Sequence, residues 1–125
     1  MRIAVGSVVM DLSDFLDQYT NEVYEARDPE AARRFIADPC RRHESGELIT
    51  MSLDDNVARV RGFIEAYPNY RFENRCVVAA DDNVVSCYDL DLGDGNTLSG
   101  IEVFCIRDGV IAETWNSHPT PGLWG

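Results

Sequence analysis

Residues 100–116 read GIEVFCIRDGVIAETWN, two runs rich in β-branched and aromatic residues on either side of Asp108-Gly109. Asp-Gly between alternating apolar residues is the strongest short-range sign of a two-residue hairpin, because both central positions must take positive φ. The stretch therefore predicts antiparallel strands over residues 97–107 and 110–118. A symmetric turn sets Glu102 opposite Trp115, Phe104 opposite Glu113 and Ile106 opposite Ile111. Toward the N-terminus, Gly93-Asp94-Gly95-Asn96 and Asp81-Asp82-Asn83 supply two further turns. They separate strands over 84–92 and 70–79, which completes a four-stranded meander. Closing the middle turn on Asp94-Gly95 places Cys87 opposite Glu102 and Asp89 diagonal to it. One face then carries Cys87, Asp89, Glu102, Phe104, Glu113 and Trp115, and the reverse carries Tyr88, Leu90, Val103, Asn116 and His118. Neither face is clean, and a single bulge would exchange them.

Before Pro68 the apolar period is 3.6 rather than 2. From Leu12, with Asp11 at the N-cap position, Phe15, Leu16, Tyr19, Val23 and Ala26 form one helical stripe. Asp28-Pro29-Glu30 opens a short second helix through Ala31, Ala32, Phe35 and Ile36 that ends near Asp38-Pro39. Ser52-Leu53-Asp54-Asp55 starts a third, carrying Val57, Val60, Ile64 and Tyr67 to its stop at Pro68. A short strand is expected over 40–44. Helices gathered ahead of an antiparallel sheet predict an α+β fold, with the three N-terminal helices covering one face of a strongly bent sheet. At 125 residues, without a linker, repeat or low-complexity tract, residues 1–125 are read as one domain.

Charge narrows the function. Twenty-two acids against eleven Lys and Arg give a net charge of −11, which repels phosphate backbones and anionic lipid, so neither nucleic acid nor membrane is an expected partner. No apolar run approaches the ~20 residues that a bilayer requires, and the expected location is the cytoplasm. Cys40, Cys76, Cys87 and Cys105 stand far apart in no Cys-x-x-Cys arrangement, and are expected to be reduced packing residues. No Gly-rich nucleotide loop, HExxH or GxSxG occurs, so nucleotide, zinc-protease and serine-hydrolase readings have no local support. A metal built from His43, His118 and acids is unsupported by spacing, so none is expected.

Three residues have the chemistry for proton transfer. Glu102 sits mid-strand between Ile101 and Val103, where an unpaired charge is expensive. In a dry cavity it becomes a neutral donor or an electrostatic partner; otherwise it points to solvent or pairs with an arginine across a subunit contact. Histidine is the side chain suited to proton transfer near neutral pH, so His43, after Arg41-Arg42, could act as general base, with Glu44 as its orienting partner or as the base itself. Each has an ordinary surface or structural reading as well. Tyr19 and Trp115 are candidate walls for a flat apolar ligand, and His118 enters a proline-rich tail.

Taken together, ARDPEAARRFIADPCRRHESGEL at 26–48, FIEAYPNYRFE at 63–73 and GIEVFCIRDGVIAETWNS at 100–117 resemble the SnoaL-like polyketide cyclase family, within the nuclear transport factor 2-like superfamily that also holds the ketosteroid isomerases. The resemblance implies a cone-shaped α+β barrel around an apolar pocket, commonly in homodimers, binding a small apolar ligand without a cofactor. It also implies an isomerase or cyclase that takes a proton next to a carbonyl and stabilises the enolate, or an epoxide hydrolase-type enzyme. IEVF at 101–104 resembles the isomerase segment whose acid donates to the substrate oxygen, here Glu102. The isomerase base falls on Glu44, beside His43. The isomerase tyrosine of the first helix falls on Thr20, one residue from Tyr19, which is a departure from that pattern. Tyr19, Phe63, Tyr88, Phe104, Trp115, Asn116 and His118 are the expected ligand-contacting residues. A non-catalytic ligand-binding or dimerisation module of the same fold is the alternative.

Overall fold

The computed structural model describes residues 2–5 and 8–125, and side chains from Asp11 onward. Strands β1 (Arg2–Val5) and β2 (Val8–Asp11) pair as a separate two-stranded ribbon. Helix α1 (Leu12–Tyr19) follows at once and buries the predicted stripe of Leu12, Phe15, Leu16 and Tyr19. It runs on as a π-helical stretch over Thr20–Glu25, whose wider turn keeps Thr20 and Val23 buried too. The second helix is a six-residue 3-10 segment, Pro29–Arg34, with proline in its first turn. It ends earlier than its apolar pattern suggests, because Ile36 is already in strand β3 (Ile36–Glu44), well before the expected start at Cys40. Strand β4 (Glu47–Met51) was not foreseen in the sequence; helix α2 (Leu53–Ala66) starts on Ser52, whose hydroxyl accepts from the Asp55 N–H at 3.1 Å. Among the described residues no helix is long and apolar enough to cross a membrane.

The meander is present as β5 (Arg71–Ala80), β6 (Asn83–Asp91), β7 (Thr97–Arg107) and β8 (Val110–Asn116), the last ending two residues short of His118. The expectation of a wholly antiparallel sheet is corrected: β3 lies parallel to β8, and the order is β4-β3-β8-β7-β6-β5, with a short β9 (Thr120–Pro121) beside β7. Helices and curved sheet enclose the main core in a cone-shaped α+β barrel, with a second apolar cluster around Tyr70, Tyr88 and Leu90. Phe15, Leu16 and Val23 meet Val57 and Val60 of α2 and Val84, Phe104 and Ile111 of the sheet there. Burying a side chain of this size stabilises by roughly 1.5–3 kcal/mol, and these contacts fix how far the helices stand from the sheet.

Two register shifts decide which side chains face the helices. At the Asp108-Gly109 turn both residues have positive φ, 53° and 78°, and Ile106 faces Ile111 as the symmetric hairpin requires. Beyond it, Cys105 faces Glu113, so Ala112 is the extra residue of a β-bulge. Glu102 therefore pairs with Asn116, not Trp115, and Phe104 with Thr114, not Glu113. The β6–β7 ladder begins at Asp91 opposite Thr97, which leaves a five-residue connection instead of the tight turn, so Ser86, not Cys87, stands opposite Glu102. The faces consequently recombine. Glu102 and Phe104 share the concave side with Tyr88, Leu90 and Asn116, while Trp115, Glu113 and His43 occupy the convex side.

Candidate functional site

The concave side encloses a cavity of about 250 Å³ between the first helix, α2 and strands β3 and β5 to β8. Its floor is aromatic: Tyr24 stacks on Phe72 at 5.8 Å, Phe72 on Tyr88 at 5.4 Å, and Tyr19 meets Phe104 edge-on at 6.2 Å. Phe63 closes the α2 side at 6.4 Å from Tyr24. Polar groups are few. Tyr88 donates to Asn116 Oδ1 at 3.1 Å, Ser86 to Asn74 Oδ1 at 2.6 Å, and Asn74 to Thr20 Oγ1 at 3.0 Å. These bonds join three strands to the first helix and hold the wall in one arrangement.

Among the described residues, one carboxylate and two guanidinium groups line this space. Glu102 projects from the middle of β7 with its side chain 13% exposed. Burial raises its pKa above the ordinary carboxylate range, an effect only partly countered by Arg42 and Arg59. Arg42, buried on β3, lies with Nη2 3.9 Å from Glu102 Oε2. Its closer partner is Glu44, which accepts from Nη2 at 2.6 Å and Nε at 3.1 Å. Arg59 of α2 donates to Asn56 Oδ1 at 3.2 Å and to Tyr24 Oη at 3.4 Å. Tyr88, desolvated and next to Glu102, has its hydroxyl pKa pushed up to about 12, and burial beside Tyr24 holds Tyr19 well above the usual phenol range. Both phenols are therefore neutral hydrogen-bond donors at any ordinary pH.

Tyr19, Phe63, Tyr88, Glu102, Phe104 and Asn116 all line the cavity. His43 does not: on the convex face it stacks flat on Trp115 at 5.1 Å and bonds Glu113 Oε2 through Nε2 at 2.6 Å. The three candidates for proton transfer, His43, Glu44 and Glu102, therefore do not converge on one cavity, since in β3 alternate residues face opposite ways and Arg42 takes the inward position. Glu44 shares that inward side but lies at the rim, its carboxylate held by Arg42. Trp115 is 39% exposed outside the cavity, and His118, exposed beyond β8, lies 3.4 Å from Ser45 Oγ. Arg42 and Arg59 were missed. Their signals are visible: Arg42 alternates with buried Cys40, and Arg59 falls on the same helical side as Asn56 and Phe63. Among the described residues no cluster of His, Cys, Asp and Glu is placed to hold a metal ion. A second hollow of about 710 Å³ lies at the β5–β6 end, where Arg27, Arg71 and Arg75 alternate with Glu25, Glu73, Asp89 and Asp91. Its walls are mostly charged, and Arg75 is ion-paired with Asp89 at 2.6 Å and Glu73 at 3.4 Å.

Similar proteins agree with this architecture. A candidate polyketide cyclase from Acidithiobacillus ferrooxidans superposes with a TM-score of 0.71 at 22% identity, covering 86% of this chain and 89% of that one. A nuclear transport factor 2-like protein of unknown function from Mesorhizobium loti gives 0.70 at 22% identity, over 84% and 88%. A candidate isomerase of the SnoaL-like family from Agrobacterium tumefaciens gives 0.64 at 16%, over 84% and 92%. At these identities the likeness is one of fold. No curated protein matches the chain. The SnoaL-like domain model matches residues 16–114, from the first helix through the strand that carries Thr114, and the chain belongs to the SnoaL-like family.

Proposed function

We propose that the cavity binds a small, largely apolar carbonyl compound and that Glu102 removes a proton from the carbon next to the carbonyl, as in an isomerisation or an aldol-type cyclisation. The observation that carries this reading is that, among the described residues lining the cavity, Glu102 is the one side chain that can accept a proton. Guanidinium groups do not deprotonate in proteins, and the phenols of Tyr19 and Tyr88 keep their protons, so every other ionisable group there is a donor. A carboxylate with a raised pKa is also a stronger base once ionised. Charge that develops on the carbonyl oxygen would meet Arg59, Arg42 or a phenol, and Arg42, Tyr19 and Tyr88 are buried, where such donors act strongly. The volume of about 250 Å³ is below the usual span for drug-sized ligands, roughly 300–1,000 Å³, so the ligand is small.

The test is hydrogen exchange in D2O with small cyclic enones, followed by NMR. Native protein should speed loss of the α-proton signal. Glu102→Gln should still bind, read from shifts of the Tyr88 and Asn116 resonances, but exchange at least ~10-fold more slowly. Equal exchange by the two proteins rejects Glu102 as the base. Binding without any accelerated exchange would leave the non-catalytic ligand-binding reading.

A further inference from the structure

Cys76 and Cys87 are direct partners across β5 and β6, at the point where the ladder resumes after the register shift between Asn74 and Cys76. The neighbouring pairs settle which way they face. Tyr88 and Asn74 on one side, and Ser86 on the other, belong to the cavity wall or its hydrogen bonds, so the intervening cysteine pair points away from the cavity. Cys76 is exposed on the edge strand and Cys87 is half-buried beside it. Directly opposed residues of an antiparallel pair have Cα atoms roughly 4.5–5.5 Å apart, inside the ~4.4–6.8 Å range that a disulfide spans. Cys40 and Cys105 differ in every respect: both are buried, neither faces another cysteine in the ladder, and burial pushes both thiols up.

We infer that Cys76 and Cys87 form a reversible thiol-disulfide site, in which a small-molecule disulfide oxidises the pair to a cross-strand link between β5 and β6. The Cys76 thiolate attacks one sulfur of the small disulfide and expels a thiolate, leaving a mixed disulfide on the exposed edge. The Cys87 thiolate then attacks Cys76 Sγ and expels the second. Two protein thiols are oxidised to one disulfide, the small disulfide is reduced to two thiols, and the protons lost by the cysteines end on those products. The link fastens the edge strand next to Asn74, whose side chain bridges Ser86 and Thr20 in the cavity wall.

The experiment is incubation of the folded chain with glutathione disulfide, capture of remaining thiols, and mass analysis. Cleavage before Asp81 and Asp82 puts the two cysteines on separate peptides, so a link between them is read directly. The expected product is lighter than the reduced chain by two hydrogens, joins those peptides, and leaves Cys40 and Cys105 as thiols. Cys87→Ser should stop at a glutathione adduct on Cys76. The inference is overturned if the native chain stops at that adduct, forms a covalent dimer through Cys76, or keeps four free thiols.

Discussion

Gly100 is the residue on which the shape of the cavity wall can be tested most sharply. It is buried in β7 opposite Tyr88, and a Cβ placed on it would overlap the Tyr88 hydroxyl oxygen while lying 2.7 Å from Cζ and 3.1 Å from Ser117 Oγ. The ring has little room to retreat, since it stacks on Phe72 at 5.4 Å and donates to Asn116. Gly100→Ala must therefore displace the phenol or bend the strand. Overpacking of this kind costs roughly 1–3 kcal/mol and the lost hydrogen bond about 1 kcal/mol more, so a destabilisation of about 2–4 kcal/mol is expected. Tyr88→Phe alone loses only the bond, about 1 kcal/mol. In the double variant the overlapping oxygen is gone and only the tighter ring contact remains. The double variant should then be at least ~1 kcal/mol more stable than the sum of the single effects requires, well beyond the ~0.3–0.5 kcal/mol within which independent sites add. Urea unfolding followed by tryptophan fluorescence measures all four proteins. Additive effects, or a Gly100→Ala variant as stable as the native chain, would refute the close approach.

Two carboxylates on opposite faces of the sheet should titrate with opposite sign. Burial raises the folded pKa of Glu102 above the ordinary ~4.3, so its contribution to stability is complete below that value and is lost as pH climbs through the folded pKa. Urea midpoints should show Glu102→Gln gaining on the native chain between pH ~4 and pH ~8, by ~1.4 kcal/mol for each tenfold change in the acid constant; a constant difference would deny the raised pKa. Glu113 is the reverse case: its hydrogen bond to His43 lowers the folded pKa, so its stabilisation is present above the ordinary value and fades as pH falls through the lowered one. His43→Ala should cost about 1 kcal/mol near neutrality, less in acid, and leave enone binding unchanged, whereas weakened binding would contradict its place on the convex face.

How much of this was readable in advance depended on how local the cause was. The stripe of α1, the Ser52 cap and the Asp108-Gly109 turn each depend on residues within one or two turns of chain, and each was placed from spacing alone. Sheet partners are different. Ala112 carries no side-chain signal for a bulge, yet it moves Trp115 outward and Asn116 inward, so residues that spacing placed on opposite faces share the cavity. The parallel pairing of β3 with β8 is equally silent, because nothing near Arg42 records that its neighbour comes from the far end of the chain. Glu102 was recognisable as a costly charge in a strand. The guanidinium groups that partly offset that cost arrive from two other elements.

That same parallel pairing bears on how the protein is made. His43 meets Glu113 seventy positions later, so β3 and β4 leave the ribosome as a hairpin whose inner edge waits for the end of the sheet to be synthesised. With translation at ~5–20 residues per second, that edge stays unsatisfied for several seconds, longer than many domains take to fold. The segment Val110–Asn116 is the keystone of the arch, and in a nascent chain lacking it the main sheet is split into two disconnected ribbons rather than forming most of a barrel.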